Sequence, residues 1–223
     1  MNFFKKIPLL ITLTVILVSF YPCSSMRAQQ SSPRFTGTLQ WNQYIEISET
    51  KKEMTASNFE LSLGFSSPQT LELYFSLGLE ELDFTDESGV NKNLEPALSW
   101  KIGGILYILK NLQVGIPLDF SISLDYLMAV HDEEELSNRK YTHKRILCTG
   151  DFYWYYSQVS PYIKFGLARS ELDTPSDERD VAEKLSLIFT GGIKFPMIQN
   201  LLGKIEANMY KDLGFCLGLE HHF

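Results

Sequence analysis

From Leu112 to Met128 the chain alternates with period two. Leu112, Val114, Ile116, Leu118, Phe120, Ile122, Leu124, Tyr126 and Met128 share one parity. Gln113, Gly115, Pro117, Asp119, Ser121, Ser123 and Asp125 share the other. A helix cannot collect every second residue on one side, whereas a strand does so by its geometry. The stretch exceeds the roughly 5–6 residues of a common strand. It also covers the roughly 9–11 residues that a tilted strand needs to cross a hydrocarbon layer. Such a strand has one greasy and one wet face, and the question is which of them meets the outside.

The same alternation recurs along the chain. The pattern predicts strands over 34–47, 57–65, 71–80, 98–108, 112–128, 145–156, 161–167, 185–195, 201–210 and 213–223. Short links, such as Ser66-Ser67-Pro68-Gln69 and Lys110-Asn111, carry turn residues. They alternate with longer charged ones: Glu49–Glu53, Asp83–Glu95, His131–Lys144 and Ser170–Lys184. The last hairpin, at Lys211-Asp212, is brief. Ten strands follow from this reading, or eight if the first or ninth is misassigned.

Residues 1–28 differ from the rest. Lys5 and Lys6 precede an apolar run from Ile7 to Tyr21, too short for a spanning helix and suited to a helical secretory signal peptide. Cleavage is expected after Ala28, leaving 29–223 as one barrel domain. Loss of Lys5, Lys6 and Arg27 then takes the net charge from −7 to −10. Cys23 admits a second reading as a lipid attachment site, but Tyr21 and Pro22 are not the small neighbours such a site prefers. The acidic balance argues against nucleic-acid binding. Three cysteines without regular spacing make neither a disulfide framework nor a zinc site.

The wet parity is where the charges lie. Glu46, Glu60, Glu72, Lys101, Asp119, Asp125, Asp151, Lys164, Lys194, Lys204 and Glu206 fall on it, with Glu80 and Glu220, and glycines such as Gly64, Gly78, Gly166 and Gly192 are interleaved with them. A soluble sandwich would turn its apolar face inward. Here the apolar faces are almost free of charge, while the other faces mix ions with the small residues that a narrow barrel interior needs. The chain also ends on an alternating strand, Phe215, Leu217, Leu219, His221 and Phe223.

That ending resembles the C-terminal signal of bacterial outer-membrane β-barrels, with His221 departing from the usual apolar residue. Over the mature chain the pattern resembles small barrels of the OmpX, OmpA-barrel and OmpW types, without matching a single named family. The resemblance implies an all-β fold, a closed antiparallel transmembrane barrel in the outer membrane. It implies contact with the lipid bilayer and lipopolysaccharide, and recognition of Phe215, Leu217, Leu219 and Phe223 by the assembly machinery. A monomer is expected. Trp41, Trp100, Trp154, Tyr126, Tyr156 and Phe223 would supply interfacial aromatic girdles.

No phosphate loop, nucleophile elbow or metal motif is present, so no catalytic residue, cofactor or metal site is expected. A ten-stranded barrel with acids near its rim invites comparison with the omptin proteases, which need paired Asp residues and an Asp–His pair. His131 and Asp132 are neighbours, so on a strand they face opposite sides, and the pattern does not match. His131 and His143 are read as flanking an external loop. The charged interior of so narrow a barrel is expected to form a salt-bridged plug, with Asp119 and Asp125 directed towards Lys101. The expected function is a surface anchor displaying acidic loops. The alternatives are a narrow channel for small or apolar solutes and, more remotely, a surface hydrolase.

Overall fold

An apolar face can stay outward in lipid only if every backbone group is paired and no sheet edge remains, which requires closure. The computed structural model describes residues 34–47, 53–67, 70–85, 91–114, 116–133, 139–156, 159–174, 181–182, 185–198, 200–209 and 213–222. Within 34–47, side chains are described at positions 37 and 38 alone. The described strands are β1 (Arg34–Ile47), β2 (Glu53–Ser66), β3 (Leu71–Thr85), β4 (Asn91–Asn93), β5 (Ala97–Val114), β6 (Ile116–Asp132), β7 (Lys140–Trp154), β8 (Ser160–Asp173), β9 (Val181–Ala182), β10 (Ser186–Ile198), β11 (Leu201–Met209) and β12 (Leu213–His222). Ten are long. The short β4 and β9 extend the wall at one end, against β3 and β8.

Every long strand pairs antiparallel with its neighbours, and β8 pairs with β10. The ring closes where β1 meets β12, from Thr36 opposite His222 to Gln43 opposite Phe215. The protein is a closed ten-stranded antiparallel β-barrel. One end, the turn end, carries Ser66, Leu71, Val114, Ile116, Trp154, Ser160, Ile198 and Leu201, with the start of β1 and the close of β12. The opposite end, the loop end, carries Ile47, Glu53, Thr85, Asp132, Lys140 and Asp173.

A belt of apolar side chains faces outward, with Leu187 77 % and Leu98 66 % exposed, among many others including Leu63, Leu73, Ile102, Leu124, Ile146, Phe165 and Leu217. Trp100 and Tyr126, with ring centroids 5.5 Å apart, sit at the loop-end edge of this belt. Trp154, opposite Leu118, lies towards the turn end. Tyr156 instead lines the interior near the turn end, and Trp41 and Phe223 lie outside the described side chains.

The strands run past the belt towards the loop end, and there the pattern inverts. Outward positions become polar: Asp83 on β3, Lys144 on β7, and Arg169 and Glu171 on β8. Inward positions become apolar, and Met54, Ala56, Leu82, Phe84, Leu94, Tyr141 and Leu172 form one buried cluster. Beyond the lipid the outside is water, so the apolar parity must turn inward. This inversion corrects the sequence reading, which ended β3 near Glu80 and placed His131–Lys144 and Ser170–Lys184 in loops. In the structure β6 continues to Asp132, β7 starts at Lys140 and β8 continues to Asp173.

A second correction concerns the turn before the alternating stretch. Val114 pairs with Ile116, so the chain reverses between them, and Leu112–Val114 belong to β5. Lys110-Asn111 forms an irregularity in that strand, where the register shifts between Leu109 and Leu112. Asn111 takes φ 55°, a left-handed conformation that asparagine tolerates, and its N–H donates to Asp119 Oδ1 at 2.6 Å. Pro117 sits two residues from this turn, and its carbonyl still accepts the Tyr155 N–H at 3.0 Å.

Candidate functional site

The inward parity of the ten strands builds a polar lumen. A cavity of about 1160 Å³ runs from the turn end, where Ser66, Asn111, Pro117, Tyr156 and Val159 line it, up to Asn58, Leu127, Leu147 and Ile188. Beyond that level lies the apolar cluster contributed by β2, β3, the bridge at Leu94, β7 and β8, and none of its residues lines the cavity. Among the described residues, the cavity opens at the turn end and its lining stops below this cluster.

Charges in the lumen are joined in pairs and small networks. Glu206 on β11 receives Lys164 of β8 at 3.1 Å, Lys204 at 3.4 Å and the Tyr162 hydroxyl at 2.7 Å. Lys194 of β10 meets Glu220 of β12 at 2.7 Å, and His222 reaches the other oxygen of that carboxylate at 2.9 Å. Lys101 of β5 pairs with Glu60 of β2. The sequence reading aimed Asp119 and Asp125 at Lys101. Instead, tyrosines take those carboxylates: Tyr155 donates to Asp119 at 2.9 Å, and Tyr74 donates to Asp125. Residues 60 and 101 are on strands separated by β3, and only ring curvature brings them together.

Glu60, Glu72, Lys101, Asp119, Asp125, Lys164, Lys194, Lys204 and Glu206 all line the cavity. Asp151 is buried on the same face and accepts from Thr149 at 2.5 Å. The Glu46 side chain lies outside the described set. Phe215, Leu217 and Leu219 point outward on β12, while Phe223 lies beyond the described residues.

Two groups of interior residues take on a role only in the folded barrel. Tyr74, Tyr107, Tyr153 and Tyr155 line the lumen, Tyr162 is buried on the same parity, and lysines lie over several of their rings: Lys101 over Tyr74, Lys164 over Tyr162 and Lys194 over Tyr153, each within 6 Å. Their position on the wet parity was the available signal.

The second group is a cluster at the loop end. Glu80, His131 and His143 are fully buried. One oxygen of Glu80, Oε1, meets His131 Nε2 at 3.1 Å and His143 Nδ1 at 2.8 Å. His131 Nδ1 lies 3.1 Å from the Glu95 carbonyl oxygen. That carbonyl belongs to the irregular step at Glu95-Pro96, between β4 and β5, where proline lacks a ladder donor. Counting parity on from Met128 along β6, and back from Phe152 along β7, would have placed both histidines inside. Among the described residues, no group of three His, Cys, Asp or Glu side chains could hold a metal ion.

Comparison with solved structures identifies the architecture. The β-domain of the Bordetella autotransporter BrkA superposes with a TM-score of 0.52 over 85 % of this chain and 98 % of its own, at 10 % identity. An outer membrane channel from Pseudomonas putida F1 gives 0.50 over 90 % and 100 %, at 8 % identity. The fold is that of the outer-membrane β-barrels. Ail of Yersinia pestis, solved with a heparin analogue, is a more distant likeness at 0.44, 10 % identical over 86 % of this chain and 97 % of its own. No protein-family model matches the sequence, and no curated protein matches it. With its apolar belt outside and its charges inside, the chain is a transmembrane barrel of the outer-membrane type.

Proposed function

We propose that this protein is an outer-membrane anchor whose lumen is closed and whose loop end faces the cell exterior. The carrying observation is the stopper of Met54, Ala56, Leu82, Phe84, Leu94, Tyr141 and Leu172 above the vestibule. A packed apolar cluster at that level opposes the passage of water and ions. The paired charges below it act as a rigid polar filling, with no catalytic role. The acidic links, including Asp86-Glu87 and Glu134-Glu135, serve as the displayed surface. Residues 1–28 act as the export leader. The outward Phe215, Leu217 and Leu219, with Phe223, are offered to the assembly machinery, and bilayer lipid and lipopolysaccharide surround the belt. The mature barrel works as a monomer.

Planar-bilayer recording of the refolded full barrel tests this reading. Silence is expected at pH 6.5, and steady single-channel steps there would overturn it. The competing reading is a solute channel. It is favoured by the cavity of about 1160 Å³ and by the fold shared with the Pseudomonas putida channel. Such a channel would give those steps.

A further inference from the structure

The lumen holds hydrogen-bonding capacity that its own side chains do not use. Glu72, Asp119 and Asp125 line the cavity from β3 and β6, and their partners are neutral groups. Glu72 accepts the Tyr107 hydroxyl at 3.3 Å, and Asp125 accepts the Tyr74 hydroxyl. Asp119 accepts the Asn111 N–H at 2.6 Å and the Tyr155 hydroxyl at 2.9 Å. Among the described residues, no cation stands within ion-pairing distance of any of the three. A carboxylate offers about four acceptor sites, so each keeps spare capacity. Donors are in surplus as well. Lys194 rests on the Tyr153 ring and gives one ammonium hydrogen to Glu220 at 2.7 Å, and Lys164 rests on Tyr162 and meets Glu206 at 3.1 Å. An ammonium group has more hydrogens than one such contact consumes.

We propose that the lumen is a binding site for an uncharged, polyhydroxylated ligand, a short oligosaccharide that enters at the turn end. A sugar hydroxyl both donates and accepts. One ligand therefore uses the spare carboxylate oxygens and the spare lysine hydrogens together, whereas an ammonium ion only donates and a phosphate mainly accepts. Charge balance points the same way. Six carboxylates and six lysine or arginine side chains line the cavity, leaving no excess of either sign to select a cation or an anion. Aromatic surface completes the set. Tyr155 and Tyr156 line the turn end of the cavity and are 43 % and 52 % exposed, and the C–H face of a sugar ring packs on such rings while its hydroxyls reach polar neighbours. Asp119, already held by Tyr155, stands opposite Tyr153 across the β6–β7 pair.

The acceptors are spread along the lumen. Asp119 and Asp125 lie about 20 Å apart along β6 at the usual rise of a strand. Glu72 falls between them by register, since it pairs with Ile105, which pairs with Ser123. This spacing suits an extended chain of rings and not a shared metal ion. The cavity of about 1160 Å³ also exceeds the roughly 300–1,000 Å³ of common small-molecule sites. The inference goes beyond the anchor reading and holds whether or not the loop end conducts.

Isothermal titration calorimetry of the refolded full chain is the test, in a polyoxyethylene detergent that has no sugar headgroup to compete. Maltotriose, cellotriose and triacetylchitotriose are the probes, with spermidine and inorganic phosphate as charged comparisons. At least one trisaccharide should bind saturably at millimolar or tighter affinity, and spermidine and phosphate should not. Glu72→Gln and Asp119→Asn keep the side-chain shape and remove the charge, and each should weaken that binding about tenfold. Heat-modifiable gel mobility confirms that both variants are folded. Arg169→Ala, on the outer face at the loop end, should bind as wild type does. Failure of all three trisaccharides to bind would overturn the proposal, as would unchanged affinity in both carboxylate variants. Saturable binding of spermidine or phosphate instead of sugar would overturn it in favour of an ion site. Steady conductance in a planar bilayer would overturn the closed-lumen reading and leave the sugar site standing.

Discussion

Glu206 shows what the lumen asks of a single residue. It stands between Lys164 and Lys204, takes the Tyr162 hydroxyl, and is almost inaccessible to water. Breaking a buried pair from one side strands the other charges, at a typical cost of about 3–5 kcal/mol. Glu206→Gln should lower folded stability by that order. Arg169→Ala, which removes a largely exposed partner of Glu171, should cost under about 1 kcal/mol. Urea titration in micelles, read by gel mobility, compares the two. Glycines divide in the same way. A Cβ at Gly166 would collide with the Cys148 carbonyl oxygen and come within 2.7 Å of Thr149 Cα, both backbone atoms that cannot step aside. Gly166→Ala should therefore cost about 1–3 kcal/mol. At Gly191 a Cβ meets nothing within 4 Å, and Gly191→Ala should be neutral or stabilise by roughly 0.5 kcal/mol. The same titration separates these. Neither difference is legible in the sequence, where both glycines sit in alternating stretches.

At the scale of the element, β6 carries the clearest lesson. Its outward face runs Leu118, Phe120, Ile122, Leu124, Tyr126 and Met128 through the belt, then Val130 and Asp132 beyond it. Leu124→Arg puts a cation in the middle of the belt and should destabilise the barrel by about 2–4 kcal/mol, whereas Val130→Arg should cost about 0–1 kcal/mol. Refolding equilibria in phospholipid vesicles measure both. The part of β6 inside the belt was plain from alternation alone, because lipid enforces one phase there. The part beyond was not, since a polar outward face and an apolar inward one break the phase. His131 consequently read as the edge of a loop, although its side chain is buried at the heart of the loop-end layer.

For the molecule as a whole, closure sets both the lumen and its limits. The β1–β12 seam leaves no edge for another strand and places both strand ends at the turn end. It also curves the wall so that strands far apart in the chain share interior layers. Glu80 of β3, His131 of β6 and His143 of β7 meet on one oxygen only for this reason. The Lys101–Glu60 pair is similar, joining β5 to β2 across β3.

The sequence by itself determined the period, the number of long strands and the face that meets lipid. Each of these is local: side chains alternate along a strand, and an apolar solvent selects one parity. The tertiary structure decided which charges pair, where the apolar parity turns inward and which side chains gather at the loop end. These depend on which strands face one another across a closed ring and on where lipid gives way to water. Leu82, Tyr141 and Leu172 sit on strands whose order around that ring no alternation specifies, and only the closed ring brings them into one buried cluster.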